Sequence, residues 1–411
     1  MRKICTGFIT CQFVLAMLSG STAQWQHTNG LNDVRINALS ANGTYLFAGA
    51  ADSGVFRSDD SGASWLRVNT GLTNLNIQAL AIRGTYLFAG TRDSGVFRSG
   101  DNGVSWFGVN TGISSMTIQA FAANDTFLFV GTNGGGVCRS YDNGTQWLAV
   151  NTGLIFNNIY AFAVSSIYIF AGTWGGSAFR SDDNGMNWDL VTNGFADPRE
   201  NIIPYAFAVV DTFIFAGTGG AGVFRAKDSA GVWFPMNMDL PDSAFVTALA
   251  ESKDTLYAAT GSGVFRTPDN GENWFPVNEG LTDTVVYSFV VNRGNLFAGT
   301  INGVWKFPLT DPVTNLAEKN GHLVTAGSNT RTITLKCSSP LTPHTTFNYA
   351  TGYGKKGIIS VYSPSGKMLF SKDIYGDGAL VWNTSNRSSG VYFARLSAGA
   401  TYVTLKMVLP K

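Results

Sequence analysis

Tyr86-Leu87-Phe88-Ala89-Gly90-Thr91 is followed at once by Arg92-Asp93-Ser94-Gly95 and then by Val96-Phe97-Arg98-Ser99. A polar loop, Gly100-Asp101-Asn102-Gly103-Val104-Ser105, leads on to Trp106. Both apolar runs are rich in aromatic and β-branched residues, short, and bounded by Gly, Asn and Asp, which reads as two strands around a tight turn. Upstream, Trp65–Asn69 and Ile77–Ala81 add two more strand-like runs, so one unit holds four. The tryptophan returns at Trp25, Trp65, Trp106, Trp147, Trp188, Trp233 and Trp274, at spacings of 40, 41, 41, 41, 45 and 41 residues. A four-strand unit repeating at this period is the signature of a propeller. The fold class read from the sequence is therefore all-β, with a seven-bladed β-propeller over residues 24–309. No run has the length and 3.6-residue period of an amphipathic helix.

Composition agrees with short strands and tight turns. Glycine is 48 of 411 residues, about 12% against an average of roughly 7%. Charged residues are only 13%, with 28 Lys+Arg against 27 Asp+Glu. A balance this close to zero argues against nucleic acid or an anionic membrane surface as the main partner. The 45% apolar fraction excludes a disordered chain.

Residues 1–23 read as a secretory signal peptide. Arg2 and Lys3 precede the apolar run Ile4 to Leu18, and Ser21-Thr22-Ala23 forms a small-residue cleavage site. Its removal takes away Cys5 and Cys11 and leaves Cys138 and Cys337, 199 positions apart. A buried apolar role for these two is expected rather than a disulfide.

The loop between the third and fourth runs follows Ser/Thr-x-Asp-x-Gly-x-x-Trp. Intact copies centre on Asp60, Asp101, Asp142, Asp183 and Asp269; around Asp228, Ala226 and Ala230 replace the hydroxyl and the glycine. This pattern resembles the Asp-box repeat of bacterial neuraminidases, and five copies in register make the likeness specific. The expected role is structural: the carboxylate accepts backbone N–H bonds, glycine takes a positive φ, and the tryptophan plugs the blade edge. Trp25-Gln26-His27-Thr28-Asn29 matches a fourth strand with no box before it. The last unit stops after three strands at Lys306. The N-terminal strand is therefore predicted to complete the seventh blade and leave no sheet edge open.

Residues 310–330 read as a linker and 331–411 as a second, immunoglobulin-like β-sandwich. Its seven strand candidates are Thr332–Lys336, Thr345–Tyr349, Ile358–Tyr362, Lys367–Ile374, Ala379–Trp382, Val391–Leu396 and Tyr402–Val408. The sequence Val361-Tyr362-Ser363-Pro364-Ser365-Gly366-Lys367, then Ser389-Gly390-Val391-Tyr392-Phe393, then the ending Lys406-Met407-Val408-Leu409-Pro410-Lys411, looks like the C-terminal sorting domain of type IX secretion cargo. That resemblance implies a partner, the type IX secretion machinery. It also implies that the chain is secreted or displayed on the outer-membrane surface of a Gram-negative bacterium. Cys337-Ser338-Ser339-Pro340 departs from the usual Asn-Pro opening.

Chemistry-bearing clusters are scarce. The three histidines, His27, His322 and His344, fall in separate segments and support neither a zinc site nor a serine–histidine scheme. No cofactor and no metal are expected. Arg57, Arg98, Arg139, Arg180, Arg225 and Arg266, with Lys306, occupy one equivalent position in every unit, which fits a structural role better than the arginine triad of sialidases. Functional residues should instead break the repeat. The position that begins the inner strand varies as Asn37, Gln78, Gln119, Tyr160, Tyr205, Thr247 and Tyr287. The connections on that side add Asp52, Arg92, Asp93, Trp174 and, in the insertion behind the spacing of 45, Arg199. This face is expected to bind an extracellular glycan or protein, with the chain acting as a monomer. The alternative is a glycoside hydrolase of sialidase or xyloglucanase type, which Asp-box propellers also build, with Asp52 and Asp93 as its carboxylates. The single-propeller photosystem assembly factor is a further relative by resemblance.

Overall fold

The computed structural model describes residues 23–195 and 202–309. Towards the C-terminus it describes 334–337, 344–351, 356–363, 368–376, 378–385, 387–398 and 401–409. The expected signal peptide, apart from Ala23, and the linker 310–330 lie outside these residues.

Seven four-stranded antiparallel sheets form the propeller. Blade 2 is typical. Its inner strand is Ile77–Arg83, followed by Tyr86–Thr91, Val96–Ser99 and the outer strand Phe107–Gly108. The other blades are 36–67 (blade 1), 118–149 (blade 3), 159–190 (blade 4), 204–235 (blade 5) and 246–276 (blade 6). Blade 7 comprises Val286–Asn292, Asn295–Thr300 and Gly303–Pro308, and its outer strand is Gln26–His27 from the other end of the chain. Gln26 pairs with Lys306 and His27 with Trp305. Each inner strand touches the inner strand of the next blade, and blade 7 touches blade 1, so the ring is closed. The strand predicted from the N-terminus to finish the last blade does so.

Second strands are sandwiched between neighbouring blades and carry the core. Leu46–Ala50, Leu128–Thr132 and Ile169–Thr173 are buried at every position. The recurring Phe-Ala-Gly run has a steric reason. A Cβ on Gly90 would lie 2.4 Å from Ile118 Cγ2 of the next blade, and one on Gly49 would lie 2.5 Å from Ile77 Cγ2. The glycine lets two blades approach, and the two-residue outer strands keep each exposed sheet edge short.

The polar hairpins close as their sequence predicts and do one thing more. Ser99 Oγ donates to Asp101 Oδ1 at 2.7 Å and accepts from the Gly103 N–H at 2.8 Å. Ser105 N–H donates to the same carboxylate oxygen at 2.9 Å. Asp60, Asp142, Asp183 and Asp269 repeat this network. In blade 5, where Ala226 and Ala230 stand, Asp228 Oδ1 is buried with no hydrogen bond. The tryptophan does not simply plug its own blade. Trp106 Nε1 donates to Val68 O of the preceding blade at 2.8 Å, and Trp147, Trp188, Trp233 and Trp274 do the same to Val109, Val150, Val191 and Met236. It is a bridge between outer strands, because its indole N–H needs a partner once buried.

The C-terminal residues form two sheets. One contains Thr334–Lys336, His344–Ala350 and Gly378–Asn383; the other contains Lys356–Tyr362, Met368–Tyr375, Gly390–Ala398 and Thr401–Leu409. Phe347, Leu380 and Trp382 of the first pack against Ile359, Val361, Tyr392 and Leu396 of the second, giving a sandwich core. The Arg395 guanidinium stacks 3.5 Å from the Phe275 ring of blade 6, where the sandwich meets the propeller. Among the described residues no helix is long and apolar enough to cross a membrane.

Candidate functional site

Every inner strand opens with the same irregularity. The register with the second strand slips between Ile36 and Ala38, Ile77 and Ala79, Ile118 and Ala120, and at the equivalent residues of the other four blades. The skipped residues are Asn37, Gln78, Gln119, Tyr160, Tyr205, Thr247 and Tyr287. A β-bulge leaves one residue unpaired and re-aims its side chain. All seven are half-buried. The position singled out from the sequence as variable is thus the bulged residue of each blade.

These residues lie on the face opposite the aspartate hairpins. The turns between second and third strands bond there to the connections that enter the next blade: Gly54 N–H to Leu75 O, Gly95 N–H to Met116 O and Gly222 N–H to Ala244 O. Neighbouring bulges are linked through backbone. Asn37 Nδ2 donates to Ile77 O at 2.9 Å, and Thr247 Oγ1 donates to Val286 O. Arg35 Nε donates to Asn37 Oδ1 at 3.0 Å, and its guanidinium lies 4.3 Å from the Tyr287 ring centre, joining blades 1 and 7. Gln78 Nε2 donates to Asn76 Oδ1.

Blades 4 to 6 differ from the rest of the ring. Trp174, Tyr160, Tyr205 and Phe245 form a continuous arc with successive ring centres 6.5, 5.2 and 5.0 Å apart. The end members are open, Trp174 at 48% and Phe245 at 44% exposure. Burial pushes the Tyr160 phenol above its ordinary pKa; burial, with Tyr160 beside it, does the same to Tyr205. Both stay neutral through the physiological range. The arc rests on bare backbone: a Cβ on Gly219 would lie 2.8 Å from the Tyr205 ring and 3.2 Å from that of Phe245. Phe156 packs likewise over Gly175, next to Trp174.

The other expected site residues are placed differently. Asp52, Arg92 and Asp93 are exposed on the turns of blades 1 and 2, away from the arc, and Arg199 lies outside the described residues. Asp60, Asp101, Asp142, Asp183 and Asp269 belong to the hairpins of the opposite face. Phe245 was not singled out from the sequence. A signal was present: the residue just before the inner strand is Arg35, Asn76, Thr117, Asn158, Ile203, Phe245 and Val285, and only one of these is aromatic. No group of His, Cys, Asp and Glu among the described residues could hold a metal ion.

No family model matches the chain, and no curated protein matches it. Solved structures do. A structure described as YCF48 bound to D1 peptide superposes with a TM-score of 0.55 at 13% identity, covering 72% of this chain and 98% of the other. YCF48 from Cyanidioschyzon merolae gives 0.54 at 14%, covering 70% and 99%. The extracellular domain of the putative hybrid two-component system BT3049 from B. thetaiotaomicron gives 0.59 at 12%, covering 95% of this chain and 58% of that one. At these identities the likeness is one of fold: the chain is a β-propeller protein.

Proposed function

We propose that the chain is an extracellular binding propeller that takes a glycan or protein on the bulge face, without catalysing its turnover. The observation that carries this reading is the aromatic arc, a break in a seven-fold pattern confined to three adjacent blades and held on glycine backbone. Binding sites are commonly lined by apolar and aromatic side chains with a few polar groups, and the arc with the bulge residues beside it has that make-up. The described peptide complex of a propeller with similar fold, and the extracellular setting of another, support the reading. The Asp-carrying hairpins are Asp boxes on this reading and serve as scaffold, since their carboxylates are occupied by their own loops. Residues 331–411 are the export address for type IX secretion, which delivers the propeller to the cell surface or medium.

The test is binding of the secreted chain to immobilised glycans and peptides, run beside an assay for new reducing ends. Retention that disappears in a Trp174→Ala/Tyr160→Ala variant supports the reading. Release of reducing ends would replace it with the glycoside hydrolase. Deleting residues 331–411 should hold the propeller inside the outer membrane.

A further inference from the structure

The arc permits a narrower statement, which rests on the binding reading above. We infer that its ligand is a neutral oligosaccharide segment, seated on Trp174 and Phe245 and hydrogen-bonded by Gln119, Tyr160 and Tyr205.

Three main-chain donors along this rim are already paired. Trp174 N–H donates to Asn158 O at 3.0 Å, Gly219 N–H to Ile203 O at 3.0 Å and Gly222 N–H to Ala244 O at 2.9 Å. An extended peptide gains much of its affinity by laddering onto free backbone, and these three donors are already taken. Recognition falls to side chains. Among them, the Gln119 amide and the hydroxyls of Tyr160 and Tyr205 have no hydrogen-bond partner in the described structure. They follow one another around the ring on blades 3, 4 and 5, whose inner strands are in contact. The arc therefore offers flat apolar rings bordered by neutral donors and acceptors. That matches a pyranose, which has an apolar C–H face and hydroxyls around its edge.

Charge narrows the class further. Trp174, Phe245, Gln119 and the two raised phenols are all uncharged at physiological pH. Asp239 and Asp242 are exposed on the connection that ends at Phe245, and they disfavour an acidic polymer. Gly219, lying under Tyr205 and Phe245, holds the rings in place before any ligand arrives, which lowers the ordering cost of binding.

Affinity electrophoresis and tryptophan-fluorescence titration of the full chain test this. The probes are a panel of neutral soluble polymers (hydroxyethyl cellulose, xyloglucan, galactomannan), the anionic polymers alginate and polygalacturonate, and a peptide array. Expected is retardation by a neutral polymer, insensitive to added salt. It should weaken roughly tenfold or more in Trp174→Ala and in Phe245→Ala, and several-fold in Gln119→Ala and Tyr160→Phe. Asp59→Asn, exposed in the hairpin of blade 1 on the opposite face, should bind like the parent. Melting curves on each variant separate lost binding from lost fold. Binding of peptides or anionic polymers alone, abolished by the same variants, overturns the ligand class but leaves the binding face. Neutral-polymer binding indifferent to Trp174→Ala and Phe245→Ala overturns the placement. No retention by any probe overturns both this inference and the binding reading.

Discussion

Arg57 Nη1 donates to the carbonyl oxygen of Asn102, 45 residues ahead and one blade along, at 3.0 Å. Arg98 makes the same bond to Asn143, Arg139 to Asn184 and Arg225 to Asn270, at 2.8, 2.7 and 2.7 Å, and Arg180 reaches Ser229 O. Each guanidinium also lies over an aromatic ring of its own blade: Tyr45, Tyr86, Phe127, Tyr168 and Phe213. The arginine that recurs in the sequence is a staple between blades, holding the hairpin of the next blade by its positive-φ residue or, in blade 5, by Ser229. Arg266 is the exception. Blade 7 has no such hairpin, Thr255 stands where the ring would be, and Arg266 has no hydrogen-bond partner in the described structure.

That difference sets up a paired measurement. Arg139→Ala should cost about 1.5–3 kcal/mol, the range for a hydrogen bond to a charged group. Arg266→Ala should stay within about 0.5 kcal/mol of the parent. Urea unfolding midpoints at constant slope decide it. Equal losses in the two variants would show that the carbonyl contact contributes nothing specific.

Ring closure has its own test. Trp25 is 3% exposed, and its Nε1 donates to Val277 O at 2.6 Å. Thr28 N–H donates to Val304 O at 2.9 Å. Deleting residues 24–30 exposes the edge of Gly303–Pro308 and should lower the melting temperature of the whole propeller. Trp25→Ala alone should cost about 3–5 kcal/mol by leaving a cavity where blades 6 and 7 meet. An unchanged melting transition in the truncation would count against closure by this strand.

The hairpin carboxylates make stability depend on acid. Hydrogen bonds from the side chain and then the backbone of Ser64 hold Asp60 at about 2, against 3.8 ordinarily, and Ser105 does the same to Asp101. At Asp142 and Asp183 burial opposes the shift, and the hydrogen bonds outweigh it. A carboxyl with a depressed folded pKa contributes stability above its unfolded pKa and loses it as pH falls towards the folded value. Stability should therefore fall between pH 3.8 and about 2. Asp60→Asn/Asp101→Asn should flatten that slope in acid-unfolding curves. A slope identical to the parent's would assign the acid sensitivity to other groups.

Gly219→Ala probes the pre-set arc. The added methyl group meets ring edges rather than backbone, and φ is not in the left-handed region, so the melting temperature should move little. Tyr205 and Phe245 must shift, so affinity for any ligand retained by the parent should drop. Calorimetric titration beside a melting curve reads both. Unchanged affinity would mean that ring placement does not govern binding.

Much of this molecule was legible in one dimension because its strands pair mainly with their neighbours in sequence. Blade number, the hairpin networks and the swapped closing strand follow from a period of about 41 residues and its two irregular ends. Each depends on contacts within a repeat or on counting repeats. The seven variable residues were also visible as a list, from Asn37 to Tyr287. Their status as bulges was not, because a bulge belongs to the pairing of two strands and leaves no mark on either alone. Contacts between blades were equally hidden: Arg57 with Asn102, Trp106 with Val68, Phe245 with Tyr205. These depend on how closely successive sheets pack and turn about the axis. Local propensity does not set that distance. The tertiary structure sets it, where Gly90 yields to Ile118 of the next blade.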